Sequence, residues 1–214
     1  MDKKDYTSLR QEYAGMPLLE EHAKPDPLLQ FSQWFEQAVS AGLPEPNAMT
    51  LATISQRGTP TARVVLLKEL DKKGFIFYTN YASNKGKELL NHPHAALVFL
   101  WLELQRQVRV EGQVHRISDS ESDNYFASRP RDSQLGAIAS PQSDEIPSKA
   151  YLAERFALLR NENEGRPVKR PEHWGGFRLV PARMEFWQGQ PGRLHDRLLY
   201  INQGFTWQIK RLAP

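Results

Sequence analysis

The sequence predicts an α+β protein built on a closed or nearly closed antiparallel β-barrel, and three observations carry that prediction. Strand-like stretches recur as successive hairpins, helical stretches are segregated between them, and neither βαβ alternation nor a Gly-rich phosphate loop occurs. The chain of 214 residues is 40% hydrophobic and 25% charged, enough for one well-buried domain of ordinary soluble composition.

The elements follow in order. Residues 1–25 are polar, with a short helical stretch expected around Ser8 to Tyr13 and then a Pro- and Lys-containing linker, so they read as a mobile arm. Asp26-Pro27 is an N-cap followed by proline at the first helical position. Leu28, Phe31, Phe35, Ala38 and Val39 then follow helical spacing up to Gly42. Met49–Ser55 and Thr61–Lys68 form a hairpin, and Gly74–Thr79 a third strand. Ser83 caps a helix through Leu90. Ala95–Trp101 and Arg106–Gly112 form a second hairpin, with Val108, Val110 and Val114 on one face and Gln107, Arg109 and Glu111 on the other. Ser118-Asp-Ser-Glu121 is a capping box for a helix to about Ser128. Asp132 or Ser133 opens the next helix, to Ala139, and Ser148 to about Asn161 a third, with Tyr151, Leu152, Phe156 and Leu159 inward. Four strands close the chain: Phe177–Val180, Arg183–Trp187, His195–Ile201 and Phe205–Lys210.

Composition excludes several chemistries. The absence of cysteine removes disulfides, thiolate metal sites and a Cys nucleophile. The histidines show no metal-ligand spacing, and no nucleophile–base motif is present. The net charge of +3 and pI near 9.1 are mild, and basic residues are interleaved with acidic ones rather than gathered into a nucleic-acid patch. The first residues lack an apolar leader and no apolar run is long enough to span a bilayer, so a cytoplasmic location is expected.

Three groups of residues can carry chemistry. Arg63 and Lys68, with Tyr78, Thr79, Asn84 and Lys85 near a capped helix start, suit a phosphate group, though a solvated hairpin with charged edges would look the same. Tyr125, Arg129 and Ser133 surround a helix start and suit an oxyanion, as they also suit an Arg–Asp cap network. Arg193, His195 and Arg197 would share one face of an extended strand, with Trp187 able to flank a planar ligand; an exposed hairpin neutralised by Asp196 is the alternative. Without nucleophile or metal, this inventory points to a redox cofactor with its own reactivity. An enzyme of another redox substrate and a non-catalytic binding protein are the alternatives.

These residues lie in seven ordered motifs: Arg63-Val-Val-Leu-Leu-Lys68, Phe77-Tyr-Thr-Asn80, Arg106-Gln-Val108, Ser128-Arg-Pro-Arg-Asp-Ser-Gln134, Trp174-Gly-Gly-Phe177, Phe186-Trp-Gln-Gly189 and Arg193-Leu-His-Asp-Arg197. In them the chain resembles the pyridoxine/pyridoxamine 5′-phosphate oxidases over essentially its whole length. The resemblance implies an FMN-binding split β-barrel, antiparallel and Greek-key-like with peripheral helices, spanning 26–214 as a single domain. It implies a homodimer with FMN at the subunit interface, and neither a nucleic-acid nor a membrane partner. FMN contacts are implied for Arg63, Val64, Val65, Leu66, Leu67, Lys68, Tyr78, Thr79, Lys85, Gln107, Gln142, Ser143, Trp187 and Arg197. Lys68, Tyr125, Arg129 and Ser133 are implied to hold the substrate phosphate, and Arg193 and His195 to face the pyridine ring as the catalytic pair. Arg10 and Tyr13 match a segment that closes over substrate, which makes residues 1–25 a lid. Asn84 departs from the family pattern, standing where a second basic residue is common. The implied reaction oxidises pyridoxine or pyridoxamine 5′-phosphate to pyridoxal 5′-phosphate by hydride transfer from C4′ to flavin N5, with O₂ reoxidising the flavin to give H₂O₂.

Overall fold

The computed structural model describes Asp5, Ser8 and residues 12–214. The chain divides into two compact units, each assembled from separated segments. Unit 1 comprises Met1–Asn47, Leu97–Val110 and Ala182–Pro214; unit 2 comprises Ala48–Ala96 and Glu111–Pro181.

Unit 1 begins with helix α1, Pro27–Ser40, whose Asp26 side chain accepts from the Leu28 N–H at 2.8 Å as the sequence predicts. Its buried stripe is Pro27, Gln30, Phe31, Trp34 and Ala38, which corrects the predicted face: Val39 is exposed. The larger indole of Trp34 sets the rotation instead, meeting the Phe186 ring edge-on at 5.3 Å while the Arg106 guanidinium covers it at 4.4 Å. Phe31 packs on Phe99 at 4.8 Å. A 3₁₀ turn at Glu20–His22, in the stretch read as linker, lies ahead of this helix.

Unit 2 opens with strands β1 (Ala48–Ile54) and β2 (Pro60–Leu66), an antiparallel hairpin that pairs Leu51 with Arg63. The predicted second strand ran to Lys68. It instead stops at Leu66, and a short β3 (Glu69–Asp71) pairs with β4 (Gly74–Asn80), while the Lys68 N–H still donates to the Ile76 carbonyl at 2.9 Å. Helix α2 (Asn84–Asn91) is capped by Ser83. Strands β5 (His94–Trp101) and β6 (Arg106–Arg116) follow in the chain, their Leu97–Val110 portion counted in unit 1, with Val108, Val110 and Val114 all buried as predicted. Helix α3 (Asp119–Ser128) carries the complete Ser118/Glu121 capping box. Helix α4 (Arg131–Ala139) starts directly after Pro130, with no side-chain cap from Asp132 or Ser133; the fixed proline φ supplies the entry geometry. Helix α5 (Lys149–Glu162) is capped by Ser148. Its Phe156 and Leu159 pack on the cluster of Phe126, Leu135, Val168 and Trp174; like Tyr151 and Leu152, they are half-buried.

The two predicted strands before and after Pro181 are one strand, β7 (Trp174–Gln188); proline removes a ladder donor here without ending the extended backbone. In unit 2 its first half pairs with β4, setting Tyr78 opposite Gly176. In unit 1 its second half pairs with β8 (Asp196–Asn202), setting Trp187 opposite Arg197, and β8 pairs with β9 (Trp207–Arg211). Among the described residues the strands join one sheet ordered β2-β1-β5-β6-β7-β4-β3, with β8 on β7 and β9 on β8. The α+β class with an antiparallel sheet is borne out.

Strand β8 corrects the shared-face prediction. Arg193 closes a 3₁₀ turn, Pro191–Arg193, with φ +62°, and His195 precedes the strand. The turn runs further than its Gln-Pro-Gly core because Gly192 and Arg193 both adopt left-handed backbone. Only Arg197 of the three lies in extended chain, so alternation does not relate them.

Candidate active site

Unit 2 holds two adjoining cavities of about 290 and 300 Å³. Val64, Val65, Leu66 and Lys68 from the end of β2, Tyr78 and Thr79 from β4, Lys85 from α2 and Tyr125 from α3 line the first. Ser133 lines the second, with Asn80 and Gly136. Arg129, Gln142 and Trp174 line both. Thus most of the phosphate-binding residues expected from the sequence do converge.

The polar chemistry of these cavities is that of an anion cradle. Lys85 Nζ and Thr79 Oγ1 both donate to the Gln142 side-chain oxygen, at 2.9 and 3.1 Å. Burial, then the neighbouring Arg63 charge, pull the Lys85 ammonium below its usual pKa. Ser143 has φ +78°, and its hydroxyl accepts from the Asn84 N–H at 3.3 Å, so Asn84 joins the loop to the start of α2 through its backbone. Arg129 lies over the Trp174 ring at 4.6 Å, and its Nη1 is buried with no hydrogen-bond partner among the described residues. A buried guanidinium N–H left unsatisfied is costly unless a ligand completes it. Tyr78, Tyr125 and Trp174 form a cluster of near-parallel rings, with Tyr78 at 3.8 Å from Tyr125 and 5.4 Å from Trp174, and the latter two 6.2 Å apart. Gly176 permits this stack, since a Cβ there would stand 2.9 Å from the Tyr78 ring. Burial raises the Tyr78 phenol to about 12 and the Tyr125 phenol in the same direction, which keeps both neutral donors.

Three expected contacts of unit 2 stand apart from the cavity walls: Ser143, Leu67 and Arg63. The Leu67 side chain is buried in the core. The Arg63 guanidinium donates to Glu88 at 3.0 Å, to the Thr61 hydroxyl at 2.8 Å and to the Thr53 hydroxyl. Glu88 was not singled out in the sequence. Burial pushes its carboxyl up, but hydrogen bonds from Thr53, Thr61 and Arg63 outweigh that and leave its pKa low.

Unit 1 gathers a second set. Trp187 and His195 lie 4.6 Å apart, and the Tyr13 ring meets both edge-on at 5.7 and 5.5 Å. Gly189 leaves room for Tyr13, because a Cβ would come within 2.8 Å of its ring. The Gln190 N–H donates to His195 Nδ1 at 3.1 Å, which puts the proton of the neutral ring on Nε2. Arg197 Nε donates to Glu185 at 2.8 Å, and Arg109 reaches the other carboxylate oxygen at 3.3 Å. That bond to Glu185 raises the Arg197 pKa. Gln107 is half-buried on β6. Arg10 lies outside the described residues. The segment from Tyr13 is tied down: Gly15 N–H donates to the Gly189 carbonyl, Leu18 N–H to Asp196, and Arg211 pairs with Glu20 at 2.6 Å.

With this geometry established, comparison with known proteins is decisive. Residues 35–161 match the family model described as pyridoxamine 5′-phosphate oxidase, and residues 174–214 match the pyridoxine 5′-phosphate oxidase C-terminal dimerisation region. The chain belongs to the pyridoxamine 5′-phosphate oxidase family. It is 57% identical to the pyridoxine/pyridoxamine 5′-phosphate oxidase of Microcystis aeruginosa over 96% of this chain and 97% of that one. The enzyme of the same name from Rubrobacter xylanophilus is 55% identical, over 99% and 98%. Among solved structures, PhzG from Burkholderia lata, in complex with tetrahydrophenazine-1-carboxylic acid, superposes with a TM-score of 0.88 at 32% identity, covering 94% of this chain and all of that one. The split-barrel fold, the FMN-dependent oxidoreductase class and dimerisation expected from the sequence are thereby shown. Among the described residues no helix is long and apolar enough to cross a membrane.

The residues present fit FMN as this family's cofactor. A flavin phosphate needs a cation, hydroxyls and free amides, and Lys85, Thr79, Gln142 and the Asn84–Ser143 junction supply them within hydrogen-bonding reach of one another. Trp174 and Glu185, like Glu88, went unassigned in the sequence. The signal for Glu185 was its i, i+2 relation to Trp187 on one strand face.

Proposed function

We propose that this chain oxidises pyridoxine 5′-phosphate or pyridoxamine 5′-phosphate at C4′ to pyridoxal 5′-phosphate. The single observation that carries the reading is the buried, unpartnered Nη1 of Arg129 beside Lys68, Tyr125 and Ser133. A phosphate monoester supplies the acceptor oxygens that this group lacks. Bound FMN supplies the hydride acceptor, from which O₂ takes the electrons as H₂O₂.

The chain's own residues bind, orient and manage protons. Lys85, Thr79, Gln142 and Ser143 hold the flavin phosphate, while Trp187, Arg197 and Gln107 meet the flavin ring system. Arg63 lies near Lys85, with its charge offset by the Glu88 carboxylate that holds it. Lys68, Tyr125, Arg129 and Ser133 hold the substrate phosphate. Arg193 covers the pyridine ring, and His195 presents Nε2–H to the oxygen or nitrogen substituent at C4′. Because Gln190 occupies Nδ1, His195 serves as a hydrogen-bond donor to the substrate in this tautomer. Positioning dominates, since a two-ring hydride transfer needs little from the protein beyond alignment and charge stabilisation. The amine route passes through an imine that water hydrolyses to the aldehyde and ammonia.

We further place both flavins of a homodimer at the subunit interface, assign residues 26–214 to one FMN-binding domain in the cytoplasm, and give residues 1–25 the role of a lid. Docking of Tyr13 on Trp187 and His195 supports the lid. The visible spectrum tests the reading. Purified protein should carry bound flavin that bleaches on anaerobic addition of pyridoxine 5′-phosphate and regains colour with H₂O₂ on admission of O₂. Bound flavin that ignores both phosphorylated vitamers would return the choice to a reductase of another substrate.

A further inference from the structure

Gln134 belongs to neither cavity's set of charged groups, yet it joins them. It is buried, and its Nε2 donates to three carbonyls at once: Phe126 at 2.9 Å, Ala127 at 3.1 Å and Arg129 at 3.1 Å. Three carbonyl neighbours settle the orientation of this amide. Two of them are C-terminal carbonyls of α3, and that of Phe126 accepts from the Arg129 N–H as well, at 3.2 Å. The third is the backbone of Arg129, the residue whose Nη1 stands buried and unpartnered. Gln134 itself sits in the first turn of α4, next to Ser133, and both of their N–H groups donate to the Pro130 carbonyl, at 3.1 and 2.9 Å. The sharp bend at Pro130 is therefore tied across by one side chain, with Arg129 on one limb and Ser133 on the other. Trp174 flanks the guanidinium but makes no such tie.

We propose that Gln134 is a positioning residue that fixes Arg129 relative to Ser133 and so sets the enzyme's selectivity for phosphorylated over unphosphorylated substrate. This rests on the reading that the cavity takes the substrate phosphate. Its action runs through backbone placement: without the amide, the α3 carbonyls turn to water and Arg129 loses the register that aims its guanidinium.

Gln134→Met keeps volume and removes both donors, and Gln134→Glu sets a carboxylate against three carbonyl oxygens. The holoenzyme of each variant is assayed with pyridoxine 5′-phosphate and with pyridoxine, and binding of inorganic phosphate is titrated directly. Gln134→Met should raise KM for the phosphorylated substrate about tenfold, with kcat falling no more than about twofold. Its KM for pyridoxine and its FMN affinity should stay at the wild-type values, and Gln134→Glu should show the larger loss. In an Arg129→Ala background, Gln134→Met should add nothing further to the loss of phosphate binding. A wild-type KM in Gln134→Met, an equal rise for both substrates, or full additivity with Arg129→Ala would overturn the proposal. If a variant loses thermal stability, the double-mutant comparison of phosphate binding still decides. A wild-type enzyme that treats both substrates alike would instead refute the phosphate reading itself.

Discussion

The cations lining the cavities of unit 2 are held differently from the arginines around Trp187 in unit 1. In unit 1, Arg197 and Arg109 share the Glu185 carboxylate, and Arg211 pairs with both Glu20 and Asp196. In unit 2, Arg129 meets aromatic faces and keeps a buried N–H unpartnered, and Lys85 donates to an amide oxygen rather than a carboxylate. Away from the cavities, unit 2 pairs its arginines with carboxylates too: Arg63 with Glu88, Arg170 with Asp119 and Asp123, and Arg178 with Asp71 and Glu121. A cation already paired with a carboxylate offers little to a further anion, whereas one held by rings and amides retains its charge for a ligand. That difference supports the proposal that the cavities of unit 2 take a phosphate. Unit 1 presents flat surfaces from Trp187, His195 and Tyr13.

The largest effect that would break this contrast is expected at Arg193. Arg193→Ala should lower kcat about a hundredfold, the order found for removing one preorganised electrostatic contact, while flavin stays bound; wild-type kinetics would remove Arg193 from the reaction. Next comes Glu88→Ala, which strands the Arg63 guanidinium and two threonine hydroxyls. Because Arg63 is about one-fifth exposed, the cost should be about 2 kcal/mol in chemical denaturation, with weaker FMN binding as Arg63 shifts. An unchanged midpoint would show that this network contributes nothing to stability.

A third effect is pH-dependent. The bond from Arg211 holds the Glu20 carboxyl at about 2, below its ordinary 4.5. A lowered folded-state pKa contributes stability above the unfolded value that is lost as the group protonates. Attachment of residues 12–25 should therefore weaken as pH falls from about 4.5 toward 2, with earlier amide exchange there than in β8. Glu20→Gln should loosen the segment at neutral pH, by little, because the pair is solvent-exposed. The smallest effect lies at the alkaline end. Burial keeps Tyr78 and Tyr200 protonated to about 12, so phenolate absorbance should lag behind that of exposed tyrosines. Stability should fall as pH rises from 10 to 12, because the unfolded chain ionises first.

Much of this was legible in the sequence where the signal is local. The Asp26-Pro27 start, the Ser83 cap and the Ser118/Glu121 box all form as read, because capping needs only three or four adjacent residues. The alternating valines of β6 are buried for the same reason. What failed depended on distant partners. Trp34 displaced Val39 from the buried face of α1 because Phe186 and Arg106, far along the chain, offered it a site. Arg193, His195 and Arg197 were assigned to one face by assuming an extended backbone, and left-handed Gly192 and Arg193 broke that alternation. Gln134 and Glu88 carry no local signature at all. Their roles exist only once three carbonyls, or two hydroxyls and a guanidinium, have been brought around them.

The central claim is that unit 2 holds the substrate phosphate through Arg129. Calorimetric titration of pyridoxal 5′-phosphate and of pyridoxal into wild type and Arg129→Ala tests it most directly. The account predicts that the phosphorylated ligand binds wild type far more tightly, and that Arg129→Ala loses about 2–4 kcal/mol for that ligand alone. Equal binding of the two ligands by wild type, or an undiminished preference in Arg129→Ala, would contradict it.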